Sequence, residues 1–439
     1  MASSLPARAA AAASGAGTAG AGSAGTGSAG ARTEDLRQTA ARLFERRGYA
    51  ATTISDIAEA AGILPGSLYH HFASKEDIAV DLLASYSQAL AALGTEAVRR
   101  TENAGDPEGL VRRLAADVAA LAFRHAAAVR LSAYEAPSVA TGRFTAAIQF
   151  RAPALERAWR IAVQSLAGRS PAADLGLLRF TLQRVTAYAP LYYPADRDAD
   201  EIATHLCDLL LHGLLTDPPP FEELDRSAAY QTALAVTGGW GGRPDRGPDD
   251  VTGAILAAAR SEFARRGYEA TTIRDIAGVA GVGMASLYRR VDSKEALLRT
   301  IVDAYADHLD EAFGTVMATG SSGPERLYAI MAVFAHASRH FRDESQIVAF
   351  GWSGREETSS PVHRYFVATQ QRLDALAGLF QHGLADGSIR PVAGPAELAE
   401  HLRTVLWLRF HTHARTSEPR AFEFLRQSLL RGALGREPS

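Results

Sequence analysis

The sequence predicts an all-α protein made of two tandem units, each with a three-helix head followed by a helical bundle. Apolar residues recur at the three-and-four spacing of helices, and no stretch alternates as a strand would. A shift of 219 residues superimposes residues 44–76 on 263–295 without a gap, with 20 of 33 positions identical. A period of that length indicates the duplication of a whole domain.

Composition limits the class of protein and its compartment. A chain of 439 residues can hold two or three domains, each with its own core. No uninterrupted apolar run reaches the roughly 18 residues of a membrane span, and the N-terminus has no apolar signal segment. Cys207 is the only cysteine, which excludes a disulfide framework and a cysteine zinc site within one chain. We therefore expect a cytoplasmic protein that does not enter a membrane.

The chain begins with a segment that differs from the rest in composition. Residues 1–31 are almost wholly Ala, Gly, Ser and Thr, which predicts a disordered tail. The first head, 32–80, then opens with an amphipathic helix that Gly48 ends. The apolar side of this helix holds Leu36, Ala40, Leu43 and Phe44.

The stretch from residue 53 to 76 has the pattern of a helix-turn-helix. Ile54, Ile57 and Ala58 lie on one side of a short helix, and Thr53 with Asp56 resembles a capping box. Gly62 supplies the backbone freedom that a tight turn between helices requires.

The next helix of this motif has the features of a recognition helix. Pro65 suits its first position, and Leu68 with Phe72 would bury its inner side. The residues left outside are Ser67, Tyr69, His70 and His71. A helix of this size fits the major groove of B-DNA, and Lys75 in the next helix could reach a phosphate.

The second copy of the head, 251–299, is the more basic of the two. It holds eight Lys/Arg against five Asp/Glu, whereas residues 32–80 hold six against seven. Arg289 and Arg290 stand where the first copy has His70 and His71. The net charge of −3 does not argue against DNA, because acidic helical bodies can mask a small basic face.

Helical patterns continue behind each head. We assign 81–216 to a first helical body and 300–435 to a second, and in each the last two helices are apolar on more than one side, as helices with partners on several sides are. Residues 217–250 are rich in Pro, Gly and Asp, which predicts an interdomain linker. A short helix over 221–236 remains an alternative within that linker.

The segment TTISDIAEAAGILPGSLYHHFASKE closely resembles the DNA-binding signature of the tetracycline-repressor (TetR) family, and TTIRDIAGVAGVGMASLYRRVDSKE resembles it less closely. The resemblance implies all-helical, ligand-responsive regulators, mostly repressors, whose bodies bind a ligand and dimerise through their last two helices. It implies DNA contacts by Thr53, Leu64, Pro65, Gly66, Ser67, Tyr69, His70 and Lys75. In the second head it implies contacts by Thr272, Gly283, Met284, Ser286, Tyr288, Arg289 and Lys294.

The second head departs from the family pattern. Ala285 replaces the usual glycine, Val291 replaces the aromatic residue that anchors the recognition helix, and an ordinary member has one unit. This head could be looser, could read another sequence, or could be a degenerate packing scaffold. The segment GILPGSLYHHF of the first head resembles members that control fatty-acid or steroid breakdown, some of which sense acyl-CoA thioesters.

Together these observations predict a regulator that binds double-stranded DNA and a small apolar effector. Its two units could form an intrachain pseudo-dimer, or two chains could form a homodimer with four heads. The first arrangement is favoured because each unit carries a complete apolar helix pair and the linker is long enough to let the pairs meet. A small-molecule sensor that acts through protein partners is the alternative function. An enzyme is disfavoured because the sequence has no nucleophile elbow, phosphate-binding glycine loop or HExxH pair.

Candidate ligand-binding residues are few. Arg151 lies on an apolar stripe and could bind an anionic group or pair with Glu135 or Glu156. Trp159, Tyr188 and Tyr192 could line a pocket, although aromatic residues at helical spacing usually belong to a core. His336 with His340, and His411 with His413, lack a recognisable third ligand, so we predict no metal site and no cofactor.

Overall fold

The computed structural model describes residues 25–101, 105–134, 142–169, 174–240, 251–350, 358–410 and 414–435. The described residues form helices and turns, with one isolated β-bridge between Leu215 and Ile389. This confirms the predicted all-α fold. The predicted tail falls mainly on residues 1–24, outside the described residues, but the first helix already begins at Gly25.

The first unit contains eleven α-helices in its described residues, and a short 3-10 helix, Ala167–Arg169, follows the eighth. They are α1 (Gly25–Arg47), α2 (Ile54–Ala60), α3 (Pro65–Leu68), α4 (Lys75–Thr101), α5 (Pro107–Arg124), α6 (Ala126–Tyr134), α7 (Gly142–Ile148), α8 (Pro153–Gln164), α9 (Leu175–Ala187), α10 (Ala189–Tyr192) and α11 (Ala199–His212). The predicted inner face of α1 is buried, since Leu36, Ala40 and Phe44 are each at most 1% exposed. Pro153 begins α8 at its first turn, where a missing N–H costs nothing.

The second unit repeats this plan. Its described helices are α14 (Val251–Arg266), α15 (Ile273–Ala280), α16 (Met284–Tyr288), α17 (Lys294–Met317), α18 (Gly323–His340), α19 (Arg342–Phe350), α20 (His363–Asp386), α21 (Pro395–Leu406) and α22 (Glu418–Arg426). A single π-helical turn, Gln427–Arg431, follows α22. The first three form the second head, and the long helix α17 connects that head to its body.

The segment predicted as a linker is partly a core element. Two helices, α12 (Phe221–Arg226) and α13 (Ala228–Trp240), occupy it, and α13 packs against α17 and α18. Ala229, Ala233 and Trp240 are buried in that contact. The structure has two helices where the sequence allows one short helix over 221–236. The small residues of α13 let this helix approach the second body closely.

One helix has the length and composition of a membrane span. Helix α4 has a mean hydropathy of 1.2 over its most apolar window, and 28% of that window is buried. One such helix is weak evidence, because core helices of water-soluble proteins have the same properties. Here α4 packs against α5, α6, α7 and α8. The expectation that the chain stays outside membranes remains a prediction.

The two units meet along their last helices, which we call the seam: α9 and α11 of the first unit with α21, α22 and the π-turn of the second. One continuous cluster of buried apolar side chains runs from the first body through the seam into the second unit. Ion pairs flank it, with Asp174 to Arg420 at 2.7 Å and Asp208 to Arg390 at 2.9 Å.

Polar groups are also buried at the seam. His401 is fully buried, and its Nδ1 lies 2.7 Å from the hydroxyl of Tyr193 in the other unit. Burial lowers the pKa of His401 to about 3, so its ring is neutral near pH 7. Thr404 donates to the same hydroxyl at 3.2 Å. Each of these contacts joins one unit to the other.

The closest approach at the seam is an exchange of backbone hydrogen bonds. The amides of Leu214 and Leu215 donate to the carbonyls of Leu429 and Leu430, at 2.7 and 3.1 Å. Reciprocally, the amides of Ala433 and Leu434 donate to the carbonyls of Leu210 and Leu211, both at 2.9 Å. The shift of 219 residues converts one set into the other. The contact therefore has the two-fold character of an isologous interface, although one chain supplies both sides.

Two glycines make this exchange possible. Gly213 and Gly432 have φ of 73° and 85°, in the region that side-chain-bearing residues rarely adopt. A Cβ atom on Gly213 would lie 2.6 Å from the backbone nitrogen of Gly432. These positions therefore require glycine both for backbone conformation and for space.

We predict that Gly213→Ala destabilises the seam more than a glycine substitution elsewhere at positive φ. The matched control is Gly387→Ala, where φ is 78° and a Cβ atom would meet nothing within 4 Å. The control should lower the free energy of unfolding by about 1–2 kcal/mol, the cost of the backbone conformation. Gly213→Ala should cost about 1–3 kcal/mol more, because backbone atoms must move apart. Urea unfolding measures both, and equal costs would contradict the proposed role of the close approach.

Candidate nucleic-acid interface

The two heads have the same local architecture. In the first, Gly62 at φ 67° turns the chain between α2 and α3, and the buried Leu68 and Phe72 hold α3 against the head. In the second, Gly281 adopts the same φ of 67° between α15 and α16. Both heads have a glycine in the left-handed conformation before the recognition helix, and both bury the inner side of that helix. Helices α3 and α16 are therefore held against their heads in the same way.

Each helix-turn-helix begins with a capping box. The hydroxyl of Thr53 accepts from the amide of Asp56 at 3.1 Å, and the Asp56 carboxylate accepts from the amide of Thr53 at 2.7 Å. Thr272 and Asp275 repeat this pattern. The Thr272 hydrogen bonds and the neighbouring Arg266 lower the pKa of Asp275 to about 2, and those of Thr53 lower the pKa of Asp56. The caps are therefore intact above the ordinary carboxylate pKa and are lost as pH falls through these lowered values.

Most of the predicted DNA-facing residues lie on the surface. Tyr69 is 55% exposed and Tyr288 is 62% exposed, which is unusual for aromatic side chains. Leu64, at the start of α3, is 76% exposed. The other exposed candidates are Thr53, Pro65, Gly66, Ser67, His70, Thr272, Gly283 and Arg289, whereas Met284 and Ser286 are half-buried.

The departures of the second head do not disturb its geometry. Val291 is 7% exposed, the same fraction as Phe72 at the equivalent position, so the smaller side chain still anchors the helix. A Cβ atom added to Gly66 would meet nothing within 4 Å. The alanine at the equivalent position, Ala285, therefore needs no rearrangement. Helix α16 is five residues long, one more than α3.

The outward surfaces of the two recognition helices differ in charge. Arg289 is exposed where the first head has His70. Arg290 donates to the carbonyl of Ser286 at 3.0 Å and to its hydroxyl at 2.7 Å, so it reinforces its own helix. The equivalent His71 lies 2.8 Å from the hydroxyl of Thr33. Arg289 against His70 is thus the main chemical difference between the two presented surfaces.

Lys75 and Lys294, for which phosphate contacts are predicted, have partners within their own heads. The Lys75 ammonium donates to the carbonyls of Tyr49 and Thr52, both at 2.8 Å, and lies 4.2 Å from the centre of the Tyr49 ring. Lys294 donates to the carbonyls of Tyr268 and Thr271, at 2.9 and 3.1 Å. These side chains point into their heads and join the fourth helix to the loop between the first two.

A compositional signal could have identified this role. The chain contains 46 Lys and Arg residues, and Lys75 and Lys294 are its only lysines. A compact ammonium can donate to two converging carbonyls beneath a ring, whereas the planar fork of a guanidinium suits a bidentate anion. All other basic side chains of the Lys/Arg type are arginines, so the two lysines indicate positions at which a compact ammonium group is needed.

Most of the residues predicted to bind a ligand in the first unit do not line a common site. Arg151 is exposed, so the expected position on a buried stripe is wrong, because the chain breaks between α7 and α8 there. Glu135 lies outside the described residues. Trp159 is 1% exposed and belongs to the core. Tyr188 is half-buried, and its hydroxyl accepts a hydrogen bond from Arg184.

Tyr192 lines a cavity that belongs mainly to the second unit. It has about 630 Å³ of empty space, counting the part open to solvent. Its walls include Tyr305, Phe334, Tyr365, Trp407 and Arg409. The repeat could have indicated Tyr305, because it stands 219 residues after the buried Tyr86. No feature of the sequence indicates that Tyr192 of the first unit lines a cavity of the second unit.

The histidine pairs have structural partners or lie outside the described residues. His336 Nδ1 lies 2.8 Å from the Glu418 carboxylate, and the His336 and His340 rings pack against Trp240. His411 and His413 are among the residues outside the description. The first pair therefore contributes to packing between α13, α18 and α22.

Comparison with known proteins gives the same two-copy picture. The family model for bacterial regulatory proteins of the tetR family matches residues 36–82 and 255–301. The transcriptional repressor KstR2 of Mycolicibacterium smegmatis is 40% identical over 156 residues, which are 35% of this chain and 75% of that protein. KstR2 of Mycobacterium tuberculosis is 48% identical over 73 residues, which are 17% of this chain and 36% of that protein.

A solved structure of the ketosteroid transcriptional regulator KstR2 of Mycobacterium tuberculosis is also similar. It has 28% sequence identity and a TM-score of 0.33, and the match covers 39% of this chain and 89% of that one. The sequence match to the Mycobacterium tuberculosis protein spans only about a third of its length.

We predict that Lys75→Met lowers the free energy of unfolding by about 1–3 kcal/mol, because two part-buried carbonyls lose their donor. Lys75→Arg should restore little of this loss, since the guanidinium cannot place one nitrogen between both carbonyls. The control is Arg47→Met, which removes an exposed cation 3.5 Å from Asp56 and should change stability by less than about 1 kcal/mol. Thermal and urea unfolding measure all three. Full stability of Lys75→Arg would contradict the geometric argument.

Proposed function

Since this chain belongs to the tetR family of bacterial regulatory proteins, we propose that it is a ligand-responsive, DNA-binding transcription repressor in which one chain supplies both heads. The main support is the repeated surface of the heads, where Tyr69 and Tyr288 stand exposed at equivalent positions of two intact helix-turn-helix motifs. The similar Mycolicibacterium protein is named as a transcriptional repressor.

The heads are proposed to enter the major groove of double-stranded DNA through α3 and α16. Two recognition helices reach successive major grooves on one face when they stand roughly 34–36 Å apart. Hydroxyl, imidazole and guanidinium groups on these helices can hydrogen-bond to base edges and phosphates. We assign the direct contacts to the exposed candidates, and we assign Lys75 and Lys294 to positioning.

The intrachain pseudo-dimer is the arrangement that we propose for DNA binding. The reciprocal backbone exchange uses the C-terminal ends of both units, and the cross-unit ion pairs occupy the flanks of the same seam. A homodimer of tandem chains would need another surface. One chain is therefore proposed to occupy one operator, with two heads of unequal chemistry.

Unequal heads favour an imperfect palindrome as the operator. An exposed arginine such as Arg289 can donate two hydrogen bonds to guanine, whereas the imidazole of His70 donates or accepts one. Leu64 presents an apolar side chain where the second head has Gly283. The two half-sites are thus expected to differ at the bases that face these residues.

The effector is proposed to bind in the cavity that Tyr192, Tyr305 and Trp407 line. Its aromatic walls favour a small apolar molecule, with lipids or acyl-CoA thioesters as the class to test first, and Arg409 offers a cation for an anionic end. Tyr192 contacts the cavity from the other unit, so an occupant could favour one relative position of the units. Some ligands bind more tightly to the arrangement of the units in which the heads cannot engage DNA. Such a ligand lowers the affinity for DNA by up to the ratio of its own affinities for the two arrangements.

The proposal also covers the location of the protein, its lack of enzymatic activity and the state of its second head. We propose a cytoplasmic regulator without enzymatic activity, since its relatives carry the name of transcription regulators. The alternative of a sensor with a degenerate second head is weakened by the capping box of α15 and the buried Val291. A head kept only as a scaffold has no need for an exposed tyrosine and arginine.

We predict that Tyr69→Ala and Tyr288→Ala each weaken DNA binding by about 1–3 kcal/mol while stability is retained, since both side chains are exposed. His70→Arg should move the preference of the first head towards the half-site of the second. The two half-sites are first identified by selection from random DNA, and each is then placed twice in one duplex. Fluorescence anisotropy with these duplexes measures the affinity of the tyrosine variants and the half-site preference of His70→Arg. Leu234→Ala, at an exposed apolar residue of α13, is the control. Unchanged affinity of both tyrosine variants would overturn the DNA-binding proposal.

Effector binding is tested by titrating acyl-CoA thioesters of increasing chain length into the protein–DNA complex. Ala337→Leu narrows the cavity and should abolish release while DNA affinity is kept. Ala375→Leu, which narrows a different groove of the second body, should leave release unchanged. If no thioester releases DNA, or if both variants respond alike, the assignment of effector class or cavity is wrong.

A further inference from the structure

Three side chains from the two units converge at one edge of the seam. Glu201 and His205 belong to α11 of the first unit, and Glu397 belongs to α21 of the second. One ligand atom of each lies within 4.8 Å of those of the other two. We call this group the seam triad. It consists of the residue types that bind divalent metal ions.

The helical positions favour joint coordination. Glu201 and His205 are four residues apart, so both project from one side of α11. Glu397 stands in the first turn of α21 and faces them across the seam. Two ligands from one helix and a third from another element form a common three-ligand arrangement, which leaves a fourth position for water.

The side chains retain the freedom that coordination requires. Ligand atoms of a tetrahedral zinc site lie about 3.4 Å apart, since each is about 2.0–2.1 Å from the ion. Glu201 is exposed, and His205 and Glu397 are half-buried, so rotamer changes can close the remaining gap. The Nδ1 atom of His205 is buried without a hydrogen-bond partner in the described part of the chain, and the ring packs edge-on against that of His401.

Arg197 competes with a metal ion for this site. It forms an ion pair with Glu397, and the other carboxylate oxygen of Glu397 accepts from the amide of Gly394 at 3.2 Å. An ion pair with partly exposed members contributes little, because water screens it and its side chains lose entropy. A divalent ion held by two carboxylates and an imidazole can therefore displace the guanidinium.

In contrast to the sequence-based prediction of no metal site, we propose that the seam triad binds a divalent transition-metal ion of the zinc class and thereby links the two units. The mixture of one imidazole and two carboxylates suits Zn²⁺ better than Ca²⁺, which prefers six to eight oxygen ligands. Because the ligands come from both sides of the seam, the bound ion stabilises the relative position of the units.

The experiment is isothermal titration of ZnCl₂ into the full-length protein after removal of metal with a chelator, at pH 7.5 in a buffer that does not bind zinc. The variants are His205→Ala and Glu397→Gln, one from each unit. Glutamine at 397 can still accept from the Gly394 amide, so the cap of α21 is kept. Asp200→Asn is the matched control, because it removes the same charge from an exposed neighbour of Glu201 on the same helix.

We expect one zinc ion per chain and a rise in the unfolding temperature on binding. Each triad variant should lose affinity by more than the roughly 10- to 100-fold that loss of a supporting residue costs a metal site. Asp200→Asn should bind as the unsubstituted protein does, and Arg197→Gln should bind more tightly because the competing cation is gone. Circular dichroism without zinc checks that every variant is folded.

Two results would overturn the proposal. If the unsubstituted protein shows no zinc binding at 100 µM protein, about the concentration at which weak sites become visible, the triad is not a metal site. If zinc binds but Glu397→Gln keeps full affinity, the ion is held elsewhere or by the first unit alone, and it does not link the units.

Discussion

The reciprocal backbone exchange at Gly213 and Gly432 is the constraint on which the arrangement of the two units depends. The C-terminal carbonyls of a helix lack partners within that helix, and here each unit supplies them for the other. A side chain at either glycine would prevent the approach. The buried apolar cluster then closes over a seam at which these helix-terminal carbonyls are paired.

The sequence predicts those parts of the fold whose signals are local. Thr53 with Asp56, the glycine at 62 and the buried face of α1 each lie within a few residues, and the 219-residue repeat carries them to the second head. The repeat also relates the two sides of the seam, but a hydrogen bond between distant segments has no periodicity of its own. The exchange therefore appears only in the structure.

The errors of the sequence prediction have physical causes. The expected apolar stripe with Arg151 crosses Pro153, where the chain breaks between α7 and α8 and exposes Arg151. The carbonyl partners of Lys75 on Tyr49 and Thr52 lie 26 and 23 residues away, so local sequence does not indicate them. Tyr192 lines the cavity of the other unit, which only the packing of two units can determine.

Fusion of two family units allows the halves of a dimer to differ. A homodimer must present the same residue twice, whereas this chain presents His70 on one head and Arg289 on the other. The central claim is that one such chain occupies one imperfect palindrome, and native mass spectrometry of the complex with a minimal operator duplex tests it most directly. We expect one chain per duplex, with both half-sites protected in a nuclease footprint. Two chains per minimal duplex, or protection of a single half-site, would contradict it.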